Sequence, residues 1–158
     1  MIRAAILTVS DRCAREQQED RSTSVLAEIL SGRGFEIADQ ALVPDEQDVI
    51  ARELVRLCGE GGCDIVFTAG GTGLGPRDVT PEATRSVCDR LVPGLGELMR
   101  AESLKKTRYA VLSRGTAGLR GSTLIVNLPG SPKAVRECLD AILDTLPHAV
   151  EMIHGGGH

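Results

Sequence analysis

Aromatic residues are scarce in this chain: its 158 residues include no Trp, one Tyr and two Phe. Sites that hold single-stranded nucleic acid by stacking usually present several aromatic side chains. The formal net charge of -4 points the same way, because a nucleic-acid binder is expected to carry a basic face. We therefore expect an aliphatic core and no nucleic-acid partner.

Paired cysteines, long apolar runs and metal-binding histidine patterns are also lacking. The five cysteines form no C-x-x-C pair, which is typical of reduced thiols in a cytoplasmic protein rather than of a disulfide framework. No apolar run approaches the roughly 20 residues of a membrane-spanning helix, so we expect no membrane partner. His148, His154 and His158 have no cysteine or acid at ligand spacing, which argues against a zinc site.

What the chain does contain is a glycine-rich segment, TAGGTGLGPRDVTPEA, from Thr68 to Ala83. Two interpretations stay open: a long flexible loop, or an anion cradle whose backbone N–H groups face phosphate oxygens near a helix N-terminus. The familiar phosphate motifs do not match. Pro76 and Arg77 stand where a P-loop has Lys and Ser/Thr, and the glycine spacing is G-x-G-x-G rather than G-x-G-x-x-G.

Apolar runs alternate with helical patterns along the chain. The apolar runs predict strands at 3–9, 35–43, 64–67, 109–112 and 123–126. Helical spacing predicts helices at 22–30, from Asp45, at 80–91, at 94–105, and from Pro132 with Ser131 as N-cap. This alternation predicts an α/β fold, a three-layer α/β/α domain with a mainly parallel, doubly wound sheet. We expect one domain over residues 1–154 and a flexible tail at 155–158.

Each predicted strand ends in a polar or glycine-rich segment. In chain order these segments are SDR, PDE, GGTGLGPRD, SR and NLPGS. Ligands of doubly wound sheets bind beyond the carboxyl ends of the strands, so we expect the five segments to form one site. They contain no histidine, and the chain has no G-x-S-x-G elbow, which argues against a serine hydrolase. Nucleotidyl transfer fits better, because a phosphate nucleophile is already ionised and needs positioning and charge neutralisation.

Two carboxylates, Asp45 and Asp78, fall in different segments. Taken alone, Asp45 is most simply the N-cap of the following helix and Asp78 a solvated loop acid. Two acids beside a phosphate-binding loop are also the usual way to hold Mg²⁺. Positive charge for an anion could come from Arg12, Arg77, Arg114 and Lys133, although each of these residues taken alone is more simply a solvent-exposed side chain. The hydroxyls of Ser10, Thr72, Ser113 and Ser131 could donate to phosphate or cap turns, and Asn127 could read a ring edge or hold the loop shape.

Six segments together resemble one protein family. They are TVSDR, LVPDEQ, GGTGLGPRDVTPEAT, VPGLGELMR, LSRGTAGLRG and NLPGSPKAV, and in this order and spacing they are similar to the molybdenum cofactor biosynthesis family, which includes MogA, MoaB and the G domain of gephyrin. The resemblance covers residues 2–153. It implies a MogA-like molybdopterin-binding fold and a homotrimer.

The resemblance also implies an activity. The family adenylylates molybdopterin with ATP as co-substrate and Mg²⁺, giving adenylyl-molybdopterin and pyrophosphate and preparing molybdopterin for molybdate insertion. An alternative stays open, a MoaB-like binding or scaffold module without adenylyl transfer. Whether a molybdenum-insertion protein is a partner also stays open.

Carried over residue by residue, the family's PD and PRDVTPEA aspartates fall on Asp45 and Asp78, implied to be the catalytic and Mg²⁺-binding pair. The resemblance implies ligand contacts at Gly70, Gly71, Thr72, Gly73, Ser113 and Asn127. The predicted binding set is completed by the strand-end residues Ser10, Arg114, Pro129, Gly130 and Ser131. The segment from Glu19 to Ser22 matches the family less well, and we assign it no role.

Overall fold

The computed structural model describes residues 1–59 and 62–157. In chain order its strands and helices are β1 (Ile2–Val9), α1 (Asp11–Ala14), α2 (Arg21–Gly32), β2 (Phe35–Val43), α3 (Gln47–Gly59), β3 (Ile65–Ala69), α4 (Thr80–Val87), β4 (Arg90–Leu91), α5 (Pro93–Leu104), β5 (Ala117–Arg120), β6 (Thr123–Leu128), α6 (Pro132–Ile142) and α7 (Leu146–Ile153). Short 3-10 helices lie at Arg108–Leu112 and Leu143–Thr145.

The six strands form one sheet in the order β2-β1-β3-β6-β5-β4. β1 pairs in parallel with β2 and β3, and β3 pairs in parallel with β6. β5 and β4 extend this parallel half as antiparallel strands. The predicted α/β class with a mainly parallel sheet is confirmed, and the chain direction changes beside β6.

The central strands of the sheet are buried on both faces, which explains why they are continuous apolar runs. Along β1, Ala4 and Ile6 pack into one core with α2 and α6, whereas Ala5 and Leu7 pack into the other core with α3. All five residues of β3 are buried. Because helices cover both faces, the carboxyl ends of the parallel strands are left to form a site.

The predicted strand at 109–112 is wrong. These residues lie in the 3-10 helix Arg108–Leu112, where the side chains of Tyr109, Val111 and Leu112 are 73%, 64% and 48% exposed. The place beside β6 is taken by β5, which returns through a tight turn at Gly121, a residue with φ of 57°. The run 109–112 therefore has no strand to pair with, and its β-favouring residues do not decide its structure.

The C-terminal region is helical up to Ile153. Of the predicted tail at 155–158, Gly155 and Gly156 donate backbone hydrogen bonds to Met152 and Glu151, and His158 lies outside the described residues. The single domain over 1–154 stays a prediction. In the described part of the chain, no helix has both the length and the apolarity that crossing a membrane requires.

Candidate functional site

Backbone hydrogen bonds join the predicted segments at the carboxyl edge of the parallel strands. The N–H of Ser10 donates to the carbonyl of Val43 (3.0 Å), which joins the ends of β1 and β2. The N–H of Gly70 donates to Leu128 O (3.1 Å), and that of Arg114 donates to Thr72 O (2.9 Å). Neighbouring segments are thus fixed to one another.

These segments surround a cavity of about 600 Å³, which we call the acidic cavity. Its lining residues are Thr8, Val9, Ser10, Cys13, Gln18, Glu19, Asp20, Arg21, Ser22, Asp45, Ala69, Gly70, Gly71, Asp78, Gly130, Ser131 and Pro132. They include four acids and one base, and that base, Arg21, lies 3.6 Å from a Glu19 carboxylate oxygen. The cavity therefore carries an excess of negative charge.

Gly70 and Gly71 give the glycine loop its shape. Their φ angles are 109° and 71°, in the left-handed region where a side chain is strained. A Cβ on Gly70 would lie 2.2 Å from Val9 O, and one on Gly71 would lie 2.2 Å from Thr80 Oγ1. Thr80 also donates from Oγ1 to Gly70 O (2.9 Å) and from N–H to Gly71 O (3.1 Å). These contacts favour a fixed loop over a flexible one.

The loop wraps closely around the Asp78 carboxylate. The N–H of Gly75 donates to Asp78 Oδ2 (2.9 Å), and a Cβ on Gly73 or Gly75 would lie 2.9 Å from that oxygen. The N–H groups of Gly71, Thr72 and Gly73 make no hydrogen bond to another described residue. Of these three residues, Gly71 lines the acidic cavity together with Asp78, whose second carboxylate oxygen is uncommitted. A backbone donor beside a free carboxylate oxygen is what an anion cradle next to a metal ligand would have.

Asp45 bonds to a neighbouring strand end instead of capping its own helix. Its Oδ2 accepts from the N–H of Asp11 (2.8 Å), and its own N–H donates to Asp11 Oδ1 (3.0 Å). α3 begins two residues later, at Gln47, so the predicted N-cap role of Asp45 is wrong. The Oδ2 atom of Asp45 bonds to the N–H of Asp11 rather than to an N–H of α3. Burial raises the pKa of Asp45, and the charges of Asp11 and Asp78 raise it further.

Asp11 is a carboxylate that we did not predict as part of the site. Arg77 binds it through two nitrogens, with Nε to Oδ2 at 2.7 Å and Nη2 to Oδ1 at 3.0 Å. This contact with Arg77 lowers the pKa of Asp11 to about 2. Arg77 is thereby engaged in an ion pair. Through its contacts with Asp45 and Arg77, Asp11 connects the SDR segment to the PDE and PRD segments. The signal in the sequence was its place directly after a buried strand.

Arg114 braces the glycine loop. Its guanidinium donates to Gly73 O (2.8 Å), to Asp78 O (2.6 Å) and to the Glu82 carboxylate (2.6 Å and 3.2 Å). Glu82 is held ionised by this contact, since its pKa is lowered chiefly by Arg114. Arg114, like Arg12 and Lys133, does not line the acidic cavity, so its predicted role as a direct ligand contact stays a prediction.

The amide of Asn127 is committed within the protein. Asn127 is 1% exposed. Its Nδ2 donates to Thr68 Oγ1 (3.1 Å) and Thr84 Oγ1 (2.9 Å), and its Oδ1 accepts from the N–H of Thr116 (3.2 Å). Of the two roles considered for Asn127, this geometry favours holding the local structure over reading a ring edge.

Ser113 and Pro129 lie at a second cavity of about 240 Å³, which we call the apolar cavity. Its other lining residues are Gly96, Met99, Arg100, Ser103, Thr107, Tyr109, Ala110, Gly115, Asn127, Ala134, Glu137 and Cys138. The predicted binding set is therefore divided. Ser10, Gly70, Gly71, Gly130 and Ser131 line the acidic cavity with the two aspartates, and Ser113, Asn127 and Pro129 line the apolar cavity. Neither cavity is lined by the remaining members of the set, Thr72, Gly73 and Arg114.

Two helix N-termini also face the acidic cavity. α6 begins after Ser131, whose Oγ accepts from the N–H of Ala134 (3.2 Å), and α2 begins after Asp20, which caps it through Thr23. Ser22 Oγ donates to Gly130 O (2.5 Å), which joins the two helix starts. The segment Glu19–Ser22, to which we assigned no role, thus lines the cavity. An N-cap aspartate before a helical pattern was the signal for it.

The carboxylates of the acidic cavity fit Mg²⁺, which needs few protein ligands, better than they fit a metal ion that is coordinated by the protein alone. Asp45 and Asp78 each have one oxygen bonded to a backbone N–H and one uncommitted. The described residues contain no cluster of three or more acids, histidines or cysteines that could hold a metal ion. Mg²⁺ is commonly bound by one or two carboxylates, with water and substrate phosphates completing its coordination.

Known proteins resemble the chain over nearly its whole length. A family model described as a probable molybdopterin binding domain matches residues 5–148. The molybdopterin adenylyltransferase of Helicobacter pylori strain J99 is 45% identical over 156 residues, which is 98% of this chain and 89% of that protein.

Solved structures agree in fold. The molybdopterin biosynthesis enzyme MoaB from Thermus thermophilus has 53% identity and a TM-score of 0.93, with 98% of each chain covered. The molybdopterin biosynthesis Mog protein from Mycobacterium ulcerans has 40% identity and a TM-score of 0.90, covering 97% of this chain and 99% of that one. The resemblance inferred from the six segments is confirmed, and the chain belongs to the molybdenum cofactor biosynthesis family of probable molybdopterin-binding domains.

Proposed function

We propose that this protein is a molybdopterin adenylyltransferase that uses ATP. An oxygen of the terminal phosphate of molybdopterin attacks the α-phosphorus of ATP. The new P–O bond forms as the bond from the α-phosphorus to the oxygen bridging to the β-phosphorus breaks. Pyrophosphate leaves, and adenylyl-molybdopterin remains. The observation that carries this proposal is the pair Asp45 and Asp78 beside the glycine loop in the acidic cavity.

The phosphates bind to donors that the protein does not use elsewhere. The N–H groups of Gly71, Thr72 and Gly73 make no bond to another described residue. Ser131 Oγ accepts from Ala134, so its own hydroxyl proton is left to donate. This serine stands at the positive end of α6, which favours negative charge there. These groups orient the phosphates, which is the main requirement when the nucleophile is already ionised.

Asp45 and Asp78 are the residues that hold Mg²⁺ in this proposal. When bound there, the ion supplies positive charge against the phosphate oxygens, as in other nucleotide sites. Burial raises the pKa of Asp45, because its charge is poorly solvated and lies near two other acids. A cation at this position would offset that repulsion. Ser113 and Pro129 contact the less polar part of the substrate from the apolar cavity.

The test is molybdopterin-dependent release of pyrophosphate from ATP by the full chain. We expect release that requires both molybdopterin and Mg²⁺. Folded protein that releases no pyrophosphate under these conditions would contradict the proposal. Omission of molybdopterin controls for plain ATP hydrolysis.

A second candidate is a molybdopterin-binding module without adenylyl transfer. The observation in its favour is the 53% identity to an enzyme described as MoaB, since a MoaB-like branch was the open alternative. Calorimetry discriminates between the two. A pure binder binds molybdopterin with the same affinity with or without ATP and Mg²⁺, whereas a transferase also binds the nucleotide.

The assembly and setting of the protein are further parts of the proposal. We propose a homotrimer that acts in the cytoplasm and passes its product to a molybdenum-insertion protein. Light scattering on the purified chain tests the first point, with a mass of three chains expected. A monomeric mass at micromolar concentration would contradict it.

A further inference from the structure

A third cavity shares no lining residue with the acidic cavity. We call it the arginine cavity; its volume is about 390 Å³, and it is lined by Arg85, Arg100, Arg114, Ser113 and Thr116 together with Leu91, Pro93 and Gly115. Its lining contains three guanidinium groups and no carboxylate. Like charges that close together are unfavourable unless an anion offsets them.

One neighbouring acid offsets part of this charge. Glu82 binds Arg114 in two contacts (2.6 Å and 3.2 Å) and is also approached by Arg85 Nη1 at 3.4 Å. Arg100 donates to neutral groups, the carbonyls of Gly115 (2.8 Å) and Ser113 (3.4 Å). Two arginines thus share one carboxylate, and the third has none among the described residues. The arginine cavity has a surplus of positive charge.

Thr116 adds a hydroxyl that has no hydrogen-bond partner among the described residues. The residue is 8% exposed, and its backbone is fixed by Asn127, which accepts from its N–H (3.2 Å) and donates to its carbonyl (2.9 Å). Its side-chain hydroxyl makes no hydrogen bond to another described residue. No fully buried side-chain polar atom in the described part of the chain lacks a partner, so this hydroxyl keeps some contact with solvent. Thr116 itself lines the arginine cavity.

We propose that the arginine cavity binds a small free tetrahedral oxyanion such as inorganic phosphate. Guanidinium groups bind phosphate oxygens through paired N–H donors. The hydroxyl of Thr116 donates to a remaining oxygen. None of the residues that line the arginine cavity lines the acidic cavity, so this site is separate from the one that holds Asp45 and Asp78. It borders the apolar cavity, with which it shares Arg100, Ser113 and Gly115. Binding of free phosphate at the arginine cavity does not rest on adenylyl transfer.

Inorganic phosphate, titrated calorimetrically into the full chain, is the first probe. Arg85→Gln removes one guanidinium, and we expect phosphate affinity to fall about tenfold or more, the loss of a charge-assisted hydrogen bond. Thr116→Val keeps the shape of the side chain and should weaken binding by about three- to tenfold. Arg136→Gln makes the same charge change at an exposed position of α6 outside the three cavities and should leave affinity unchanged.

A fourth variant moves the affinity in the opposite direction. Glu82→Gln removes the carboxylate that competes for Arg85 and Arg114, so phosphate should bind several-fold more tightly. Local damage to the fold would weaken binding instead, which separates the two effects. Equal affinities of wild type and Arg85→Gln would overturn the proposal, as would the absence of saturable phosphate binding to wild type. A loss confined to Ser131→Ala would place the phosphate in the acidic cavity and overturn it as well.

A parallel titration with ATP tests whether the arginine cavity is separate from the nucleotide site. If Arg85→Gln weakens both phosphate and ATP, the cavity belongs to the nucleotide site, and the proposal of a separate site is overturned. If it weakens phosphate alone, the cavity takes the free oxyanion. Molybdopterin is absent from these titrations, so a failure of adenylyl transfer would not alter their outcome.

Discussion

The acidic cavity and the apolar cavity lie in the same predicted binding region, but their polar side chains differ in how completely they are hydrogen-bonded within the protein. In the acidic cavity, Asp45 and Asp78 each keep one uncommitted oxygen, and burial raises the pKa of Asp45. At the apolar cavity, the Asn127 amide bonds to Thr68, Thr84 and Thr116 and is 1% exposed.

This difference distinguishes polar groups that are available to bind a ligand from polar groups that maintain the fold. Groups that meet a ligand must stay unsatisfied in the empty protein, at a cost in stability, whereas groups that maintain the fold are satisfied within it. In the proposed reaction, charge neutralisation and phosphate binding therefore belong to the acidic cavity. The apolar cavity would contribute a binding surface whose local structure Asn127 maintains.

Asp78→Asn should give the largest effect. An asparagine oxygen can still accept from the N–H of Gly75, so the loop stays closed, but the carboxylate charge is lost. We expect pyrophosphate release to fall by about 10²–10³-fold, the scale for removing one electrostatic contact to a transition state. Asp140→Asn, on the exposed side of α6, is the matched control and should retain full activity. If Asp78→Asn loses less than about threefold in pyrophosphate release, the acidic cavity does not supply the charge that the proposed reaction needs.

Asn127→Ala tests whether the Asn127 amide maintains the local structure at the apolar cavity. It leaves the N–H of Thr116 and two threonine hydroxyls without their partner, which should cost about 2–4 kcal/mol of unfolding free energy. Urea denaturation measures the loss. ATP affinity of the folded fraction should be unchanged. If the variant keeps its stability and loses ligand affinity instead, Asn127 is a ligand contact.

The pH dependence of activity should reflect Asp45. Its pKa is raised by burial and by the charges of Asp11 and Asp78, and its ionised form is the one that binds a cation. Activity should therefore fall with decreasing pH at a value above the ordinary 3.8 of an aspartate. In Asp11→Asn one of the raising charges is gone, so the acid limb of the pH–rate profile should move to lower pH. An unmoved limb would mean that another group sets it.

A smaller effect concerns stability. Because the folded-state pKa of Asp45 is raised, the folded protein binds this proton more tightly than the unfolded chain does. The contribution of Asp45 to stability is thus greatest below its unfolded pKa and declines as pH rises through the raised value. At pH 7, Asp45→Asn should be more stable than wild type by a few tenths of a kcal/mol, on the scale of a surface substitution. Thermal melts at pH 7 check this, and a clear destabilisation would contradict the sign.

The parallel half of the sheet could be predicted from the sequence because its inner strands are buried on both faces. Strands such as β1 and β3 are continuous apolar runs, and their spacing by helices fixes a parallel arrangement. The antiparallel half could not. β4 has two residues, β5 has four, and the more strand-like run at 109–112 became a 3-10 helix because β5 took its place beside β6.

The candidate site, like the sheet, could be predicted from the sequence only in part. The strand-end rule brought Asp45, Asp78 and the glycine loop together because it depends on topology alone. The pairing of Asp45 with Asp11, and of Arg77 and Arg114 with acids, depends on side-chain contacts across the site. Such contacts join residues 34, 66 and 32 positions apart, for which a single sequence carries no periodic signal.

The most direct test of the central claim is a pair of measurements on Asp45→Asn. If the acidic cavity performs the chemistry, this variant should bind molybdopterin within about twofold of wild type while adenylyl transfer falls by about 100-fold or more. An equal loss of binding and transfer in folded protein would contradict the account, because Asp45 would then act on the shape of the site. Transfer that persists at the wild-type rate would contradict it as well.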